Sequence, residues 1–170
     1  MMKKARKLTL LGLLVAQALV LHYIEGFIPV LAPGAKLGLA NIITMVALVL
    51  FGFKEAMAIV IIRAVLGPLL GGSVTGILYS LSGGILSGII MSILYQNFKD
   101  YFSFMGISTA GAVFHNIGQL LVASWIFDTI GILYTYLPIL MVAAVATGYF
   151  NGLVARYIVG YLKNKVELGS

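Results

Sequence analysis

His22-Tyr-Ile-Glu25-Gly-Phe-Ile-Pro29-Val-Leu-Ala-Pro33-Gly-Ala-Lys36-Leu-Gly38-Leu-Ala-Asn41 is the stretch on which the fold turns. It holds two of the chain's four prolines with a histidine, a glutamate and a lysine, and long apolar runs flank it on both sides. In lipid, irregular backbone and ionisable groups are tolerated only where they face protein or a water-filled space. The rest of the chain reads as a frame that positions this break.

The frame is a membrane frame. Of 170 residues, 61% are hydrophobic and 9% charged, and the mean hydropathy is +1.09. A soluble domain carries roughly 25% charged residues. The composition predicts an all-α integral membrane protein, a single domain over 1–170, because no polar linker divides it. With no cysteine, disulfides, thiolate metal sites and cysteine nucleophiles are excluded. The net charge of +6 sits mostly at the ends of apolar runs, where it orients a chain in the membrane and calls for no nucleic acid.

Six spans are expected, at about 8–28, 37–53, 56–70, 74–95, 107–127 and 136–161. The basic head Lys3, Lys4, Arg6 and Lys7, the run after it and Ala16-Gln17-Ala18 also have the outline of a signal peptide. We read that run as a retained first helix. Placing the N-terminus inside puts Lys3, Lys4, Arg6, Lys7, Lys54, Lys99, Lys163 and Lys165 on the inner side, and only Lys36 in an outer loop. Both termini are then cytoplasmic in a prokaryotic plasma membrane. Merging spans two and three would put Lys163 and Lys165 outside, against the same rule.

Small residues order the spans. Gly72, Gly76, Ser80, Gly84, Gly88 and Ser92 recur every four residues in span four, and Ala144, Gly148, Gly152 and Gly160 repeat the device in span six. Span one carries Gly12 and Ala16. Such stripes let helices approach closely in lipid, and on span one the stripe could instead dock another membrane protein.

Polar residues within the spans are the candidate site. His22 and Glu25 lie three apart, on one helical face, and Lys36 and Asn41 follow. Arg63 falls at mid-depth in span three, and His115, Asn116 and Gln119 form a patch in span five. Such groups are costly in a bilayer unless they face a partner or an aqueous pocket. Two arrangements meet that demand: internal pairing, as of Glu25 with Lys36 or Arg63, or a shared pocket. A pocket of these residues, with Ser80, is rich in positive groups and suits a small anionic substrate, carboxylate or phosphate, with an apolar or aromatic body. His22, Glu25 and His115 could alternatively hold a divalent metal, but Lys36 and Arg63 would repel it, so no metal or other cofactor is assigned. An enzyme is not expected. The five acids are scattered, and no Gly-x-x-x-x-Gly-Lys-Ser/Thr, Gly-x-Ser-x-Gly or His-Glu-x-x-His sequence occurs.

Two clusters carry a resemblance. His22-x-x-Glu25 with Pro33-Gly-Ala-Lys36-Leu-Gly38-Leu-Ala-Asn41, and His115-Asn-Ile-Gly-Gln119, resemble the Gx transporter family, also labelled heptaprenyl diphosphate synthase component I. The six-span plan is similar to the substrate-binding (S) components of energy-coupling factor importers. That resemblance implies an outward pocket closed by the loop at 29–37, with no ATPase of its own. It also implies partners: a transmembrane coupling subunit carrying two cytoplasmic ATPases, docked on Gly12 and Ala16. The substrate would be a small vitamin-like, isoprenoid or quinone-precursor molecule. The synthase label implies a different partner, a soluble prenyl diphosphate synthase, with this chain as its non-catalytic membrane subunit. Magnesium-diphosphate chemistry needs convergent carboxylates, and the chain's two aspartates are isolated.

Overall fold

The computed structural model describes residues 4–28 and 36–165. Within them lie six helices and no strand: α1 (Lys4–Glu25), α2 (Asn41–Phe51), α3 (Phe53–Leu70), α4 (Thr75–Phe98), α5 (Phe104–Ile126) and α6 (Gly131–Lys165). Three of them, α1, α4 and α6, are long and apolar enough to cross a membrane. The expected lid at 29–37 lies, but for Lys36 and Leu37, outside the described residues.

The shortest helix is the axis. All eight residues from Asn41 to Leu48 are buried, so α2 has no lipid-facing side over two turns. It touches each of the other five helices. These follow one another around it as α1, α3, α4, α5 and α6, and no comparable contact closes the ring between α6 and α1. At 11 residues α2 spans about 16 Å, half of a bilayer core. The expected span at 37–53 is therefore a half-length helix, entered through the buried turn of residues 38–40. Gly52 (φ 96°) makes the one-residue corner into α3, a conformation L side chains rarely adopt.

Close contacts fix the directions of the other helices. Gly76, Gly84 and Gly88 of α4 face Pro68, Val60 and Met57 of α3 in turn, and Gly118 and Gly111 of α5 face Gly83 and Met91 of α4. Gly148 and Gly152 of α6 face Thr109 and Met105 of α5. In each pair one index rises as the other falls, so these neighbours are antiparallel. A Cβ on Gly83, Gly84, Gly88 or Gly118 would come within 3.0 Å of the facing helix. The small stripes on α4 and α6 are internal packing surfaces over Gly76–Ser92 and Ala144–Gly152, as close approach in lipid requires, while Gly72 and Gly160 at their ends are exposed and meet nothing. The alternation gathers Lys4, Arg6, Lys7, Lys54, Lys99 and Lys163 at one end of the bundle. There Lys7 pairs with Glu55, the only ion pair among the described residues.

Two boundaries moved for packing reasons. Helix α6 begins at Gly131, before the expected Tyr136, because Ile132, Leu133, Tyr136 and Leu137 pack against buried Leu120 and Leu140. Helix α5 begins at Phe104, where Ser103 Oγ caps it by accepting the Gly106 N–H at 3.2 Å. Helix α1 is peripheral. Only Leu14, Ala18, His22 and Glu25 are buried on it, a single narrow face.

Candidate functional site

The last turn of α1 and the chain entering α2 meet at the end of the bundle away from the basic residues. Glu25 Oε1 accepts the Gly38 N–H and, at 3.2 Å, the Leu39 N–H. These two N–H groups belong to the turn that leads into α2, whose own first N–H groups are met by the Gly38, Leu39 and Ala40 carbonyls, so the carboxylate anchors the turn. Neither Lys36 nor Arg63 lies within 4.0 Å of this carboxylate, since Lys7–Glu55 is the only such pair among the described residues. Of the two internal pairings considered from sequence, neither forms as a salt bridge.

The same short segment is held from three other helices. Gln119 Oε1 of α5 accepts the Lys36 N–H at 3.0 Å, and Asn151 Nδ2 of α6 donates to the Gly38 carbonyl at 3.1 Å. Arg63 of α3 donates through Nη2 to Asn41 Oδ1 at 2.8 Å. Gly38 (φ 79°) packs so closely that a Cβ would stand 2.9 Å from Asn41 Nδ2 and 3.1 Å from the His115 ring. Only glycine combines that backbone conformation with that clearance. His115 in turn rests against Gly83 of α4.

Lys36 Nζ lies 2.9 Å from His22 Nε2. An ammonium has donors only, so Nε2 is the acceptor and the ring proton sits on Nδ1 of a neutral imidazole. Burial holds Lys36 below the ordinary lysine pKa; the Glu25 charge opposes that shift and the Arg63 charge adds to it.

A cleft of about 440 Å³ lies beside this pair. Its walls are His22, Tyr23 and Phe27 from α1 and the turn after it, Gly67, Pro68 and Gly71 from the end of α3, and Thr75, Gly76, Tyr79 and Ser80 from the start of α4, with Lys36 across the top. Sites for small molecules usually occupy roughly 300–1,000 Å³. Of the expected site residues, His22, Lys36 and Ser80 line the cleft. Glu25, Asn41, Arg63, His115 and Gln119 do not; they are buried and hold residues 36–41 in place. Asn116 turns away and donates to the Leu140 carbonyl of α6 at 2.9 Å. The cleft's aromatic walls, Tyr23, Phe27 and Tyr79, and the tether Asn151 are additions that span-by-span reading missed. Asn151 had a signal, being the asparagine between Gly148 and Gly152 of the α6 stripe. The aromatics had none, since Tyr and Phe occur in five of the six expected spans.

Gly12 and Ala16, the expected docking residues, are exposed on α1, and a Cβ on Gly12 would meet nothing within 4 Å. A second hollow, about 430 Å³ and almost wholly apolar, runs between Leu10, Leu13 and Leu14 of α1 and Tyr157, Ile158 and Tyr161 of α6, where the ring around α2 is open. Among the described residues no three His, Asp or Glu side chains are placed to hold a metal ion.

These features define a helical membrane protein with a polar, cation-bearing cleft at one end of its bundle. Residues 14–158 match the family described as heptaprenyl diphosphate synthase component I, and the chain belongs to that family. No curated protein and no solved structure matches it.

Proposed function

We propose that the protein is the substrate-capture subunit of a small-molecule importer of the energy-coupling type. The observation that carries this reading is the cleft at the end opposite the basic residues, lined by Lys36, His22 and Ser80 between aromatic walls. The basic end faces the cytoplasm by the positive-inside rule, so the cleft opens to the exterior. Five helices cross the membrane, and half-length α2 with the segment leading into it makes the sixth passage, so that both termini are inside. The anionic end of a small vitamin-like, isoprenoid or quinone-precursor substrate meets Lys36, with Ser80 adding a hydrogen bond and Tyr23, Phe27 and Tyr79 enclosing the body. Arg63, Asn41, Glu25, His115 and Gln119 shape the site from behind. The chain has no nucleotide-binding loop, so energy comes from a coupling subunit and two cytoplasmic ATPases, seated on the exposed Gly12–Ala16 face of α1.

The test is ligand-dependent thermal stabilisation of the purified protein across vitamins, quinone precursors and prenyl diphosphates. Stabilisation by one class, lost in Lys36→Ala, supports capture; no shift with any class removes it. A second reading is favoured by the family's description: a non-catalytic membrane subunit that recruits a soluble prenyl diphosphate synthase. Co-purification separates the two, since ATPases with a coupling subunit support import and a prenyl synthase supports recruitment.

A further inference from the structure

Charge counting around the cleft has a consequence for its ligand. The polar core at this end contains two cationic side chains, Lys36 and Arg63, and one acid, Glu25. Arg63 is 2% exposed, and among the described residues its one hydrogen bond goes to the neutral Asn41 amide and its Nε has no partner. Lys36 Nζ is bonded to an imidazole that must be neutral to accept it. Glu25 spends its carboxylate on the Gly38 and Leu39 N–H groups of the turn before α2, with no cation within 4.0 Å of it among the described residues. Residues 29–35 contain no ionisable side chain; of the chain's other four acids, Glu55 is paired with Lys7 and Asp100 is exposed in a turn at the basic end, Asp128 is exposed in the turn between α5 and α6 and does not line the cleft, and Glu167 lies outside the described residues. Among the described residues, no acid lines the cleft to serve as a second counter-charge. Two cations against one acid leave an excess of one positive charge in a set whose Arg63 and Glu25 are buried and whose Lys36 is half-buried, where uncompensated charge is costly.

Resting on the capture reading above, we propose that the cleft selects a monoanion, a carboxylate on an aromatic or isoprenoid body, and discriminates against phosphate and diphosphate esters. One negative charge neutralises the Lys36–Arg63–Glu25 set. A dianion converts an excess of one positive charge into an excess of one negative charge and recovers nothing. A neutral alcohol of the same shape leaves the original excess standing.

The experiment uses the full chain in nanodiscs at pH 8 and reads melting temperature and affinity for two matched series. One is 4-hydroxybenzyl alcohol, 4-hydroxybenzoate and 4-hydroxybenzyl phosphate; the other is geraniol, geranate and geranyl phosphate. The expected result is binding of the carboxylate in at least one series, with the alcohol and the phosphate at least about tenfold weaker, a difference of about 1.4 kcal/mol. Equal or tighter binding of a phosphate overturns the monoanion rule while leaving the capture role intact. Charge variants without ligand supply the second measurement. Lys36→Met removes the excess and is expected to raise the melting temperature of the ligand-free protein, whereas Glu25→Gln doubles the excess and lowers it. If no member of either series binds, the capture reading loses support, and Lys36→Met alone decides the charge argument. A fall in its melting temperature means that Lys36 is already compensated and overturns the proposal.

Discussion

Gly67 of α3 faces His22 of α1 with no room for a side chain: a Cβ would stand 2.6 Å from the imidazole Cδ2 and 2.9 Å from Cγ. Gly67→Ala must push the ring off Lys36, and overpacking of this kind costs about 1–3 kcal/mol. We expect lower thermal stability together with loss of ligand stabilisation, read by melting with and without ligand. Lys36 gives a pH prediction. Its folded-state pKa is depressed by burial below the ordinary value of 10.5, so the charged form is the one the fold disfavours. Stability from this group is fully present above the ordinary value and is lost as pH falls through the depressed one. The ligand-free protein should therefore melt higher as pH rises toward 10.5, while affinity for an anion falls over the same window. Lys36→Met should flatten both trends. At the other end, the Lys7–Glu55 pair is partly exposed, with side chains 41% and 24% accessible. Its hydrogen bond to Lys7 holds the Glu55 carboxyl below the ordinary value. Screening by water limits such pairs to about 0–1 kcal/mol, so Glu55→Gln should change the melting temperature little.

Among the elements, α1 has three faces with different duties. Leu14, Ala18, His22 and Glu25 pack inward, Leu10, Leu13 and Gln17 line the open groove toward α6, and Gly12 and Ala16 are exposed. Gly12→Leu should leave the melting temperature of the isolated protein unchanged, because a Cβ there meets nothing within 4 Å, yet under the import reading it should abolish co-purification of the coupling subunit. Gly118→Leu in α5 is the contrasting variant, since a Cβ there would stand 2.8 Å from the Ser82 carbonyl of α4. It should force α4 and α5 apart and prevent accumulation in the membrane. One sequence device, small residues at helical spacing, thus serves internal packing on α4 and leaves an open surface on α1. Spacing alone could not separate these cases, because both read as one apolar helix with small residues on one face.

For the whole molecule, the testable matter is which end faces which compartment. The chain has no cysteine, so single cysteines report without background. A cysteine replacing exposed Thr129, between α5 and α6, should react with a membrane-impermeant maleimide on intact cells. One replacing exposed Lys99, after α4, should react only after permeabilisation. Labelling of both from the same side would contradict the antiparallel α4–α5 pair as a pair of spans, and reversed labelling would put the cleft on the cytoplasmic side and end the import reading. Between the two ends, α2 keeps polar and apolar regions apart: its start is held by Glu25, Asn151 and Arg63, while Met45, Val46 and Leu48 join the apolar cluster below.

The amino-acid sequence alone determined the membrane character, the approximate positions of the helices, the charge asymmetry and the roster of polar residues. These depend on local composition and on the cost of charge in lipid, which act on each segment by itself. Only the tertiary structure decided what those residues do to one another. Glu25 could have paired with Lys36 or Arg63 on charge alone; it anchors the turn before α2 because that turn brings the Gly38 and Leu39 N–H groups to its oxygen. The candidate residues divide into cleft walls and a buried frame for the same reason. Which side chains meet at a half-length helix depends on how five others close around it, and that arrangement is a property of packing between segments, absent from any one of them.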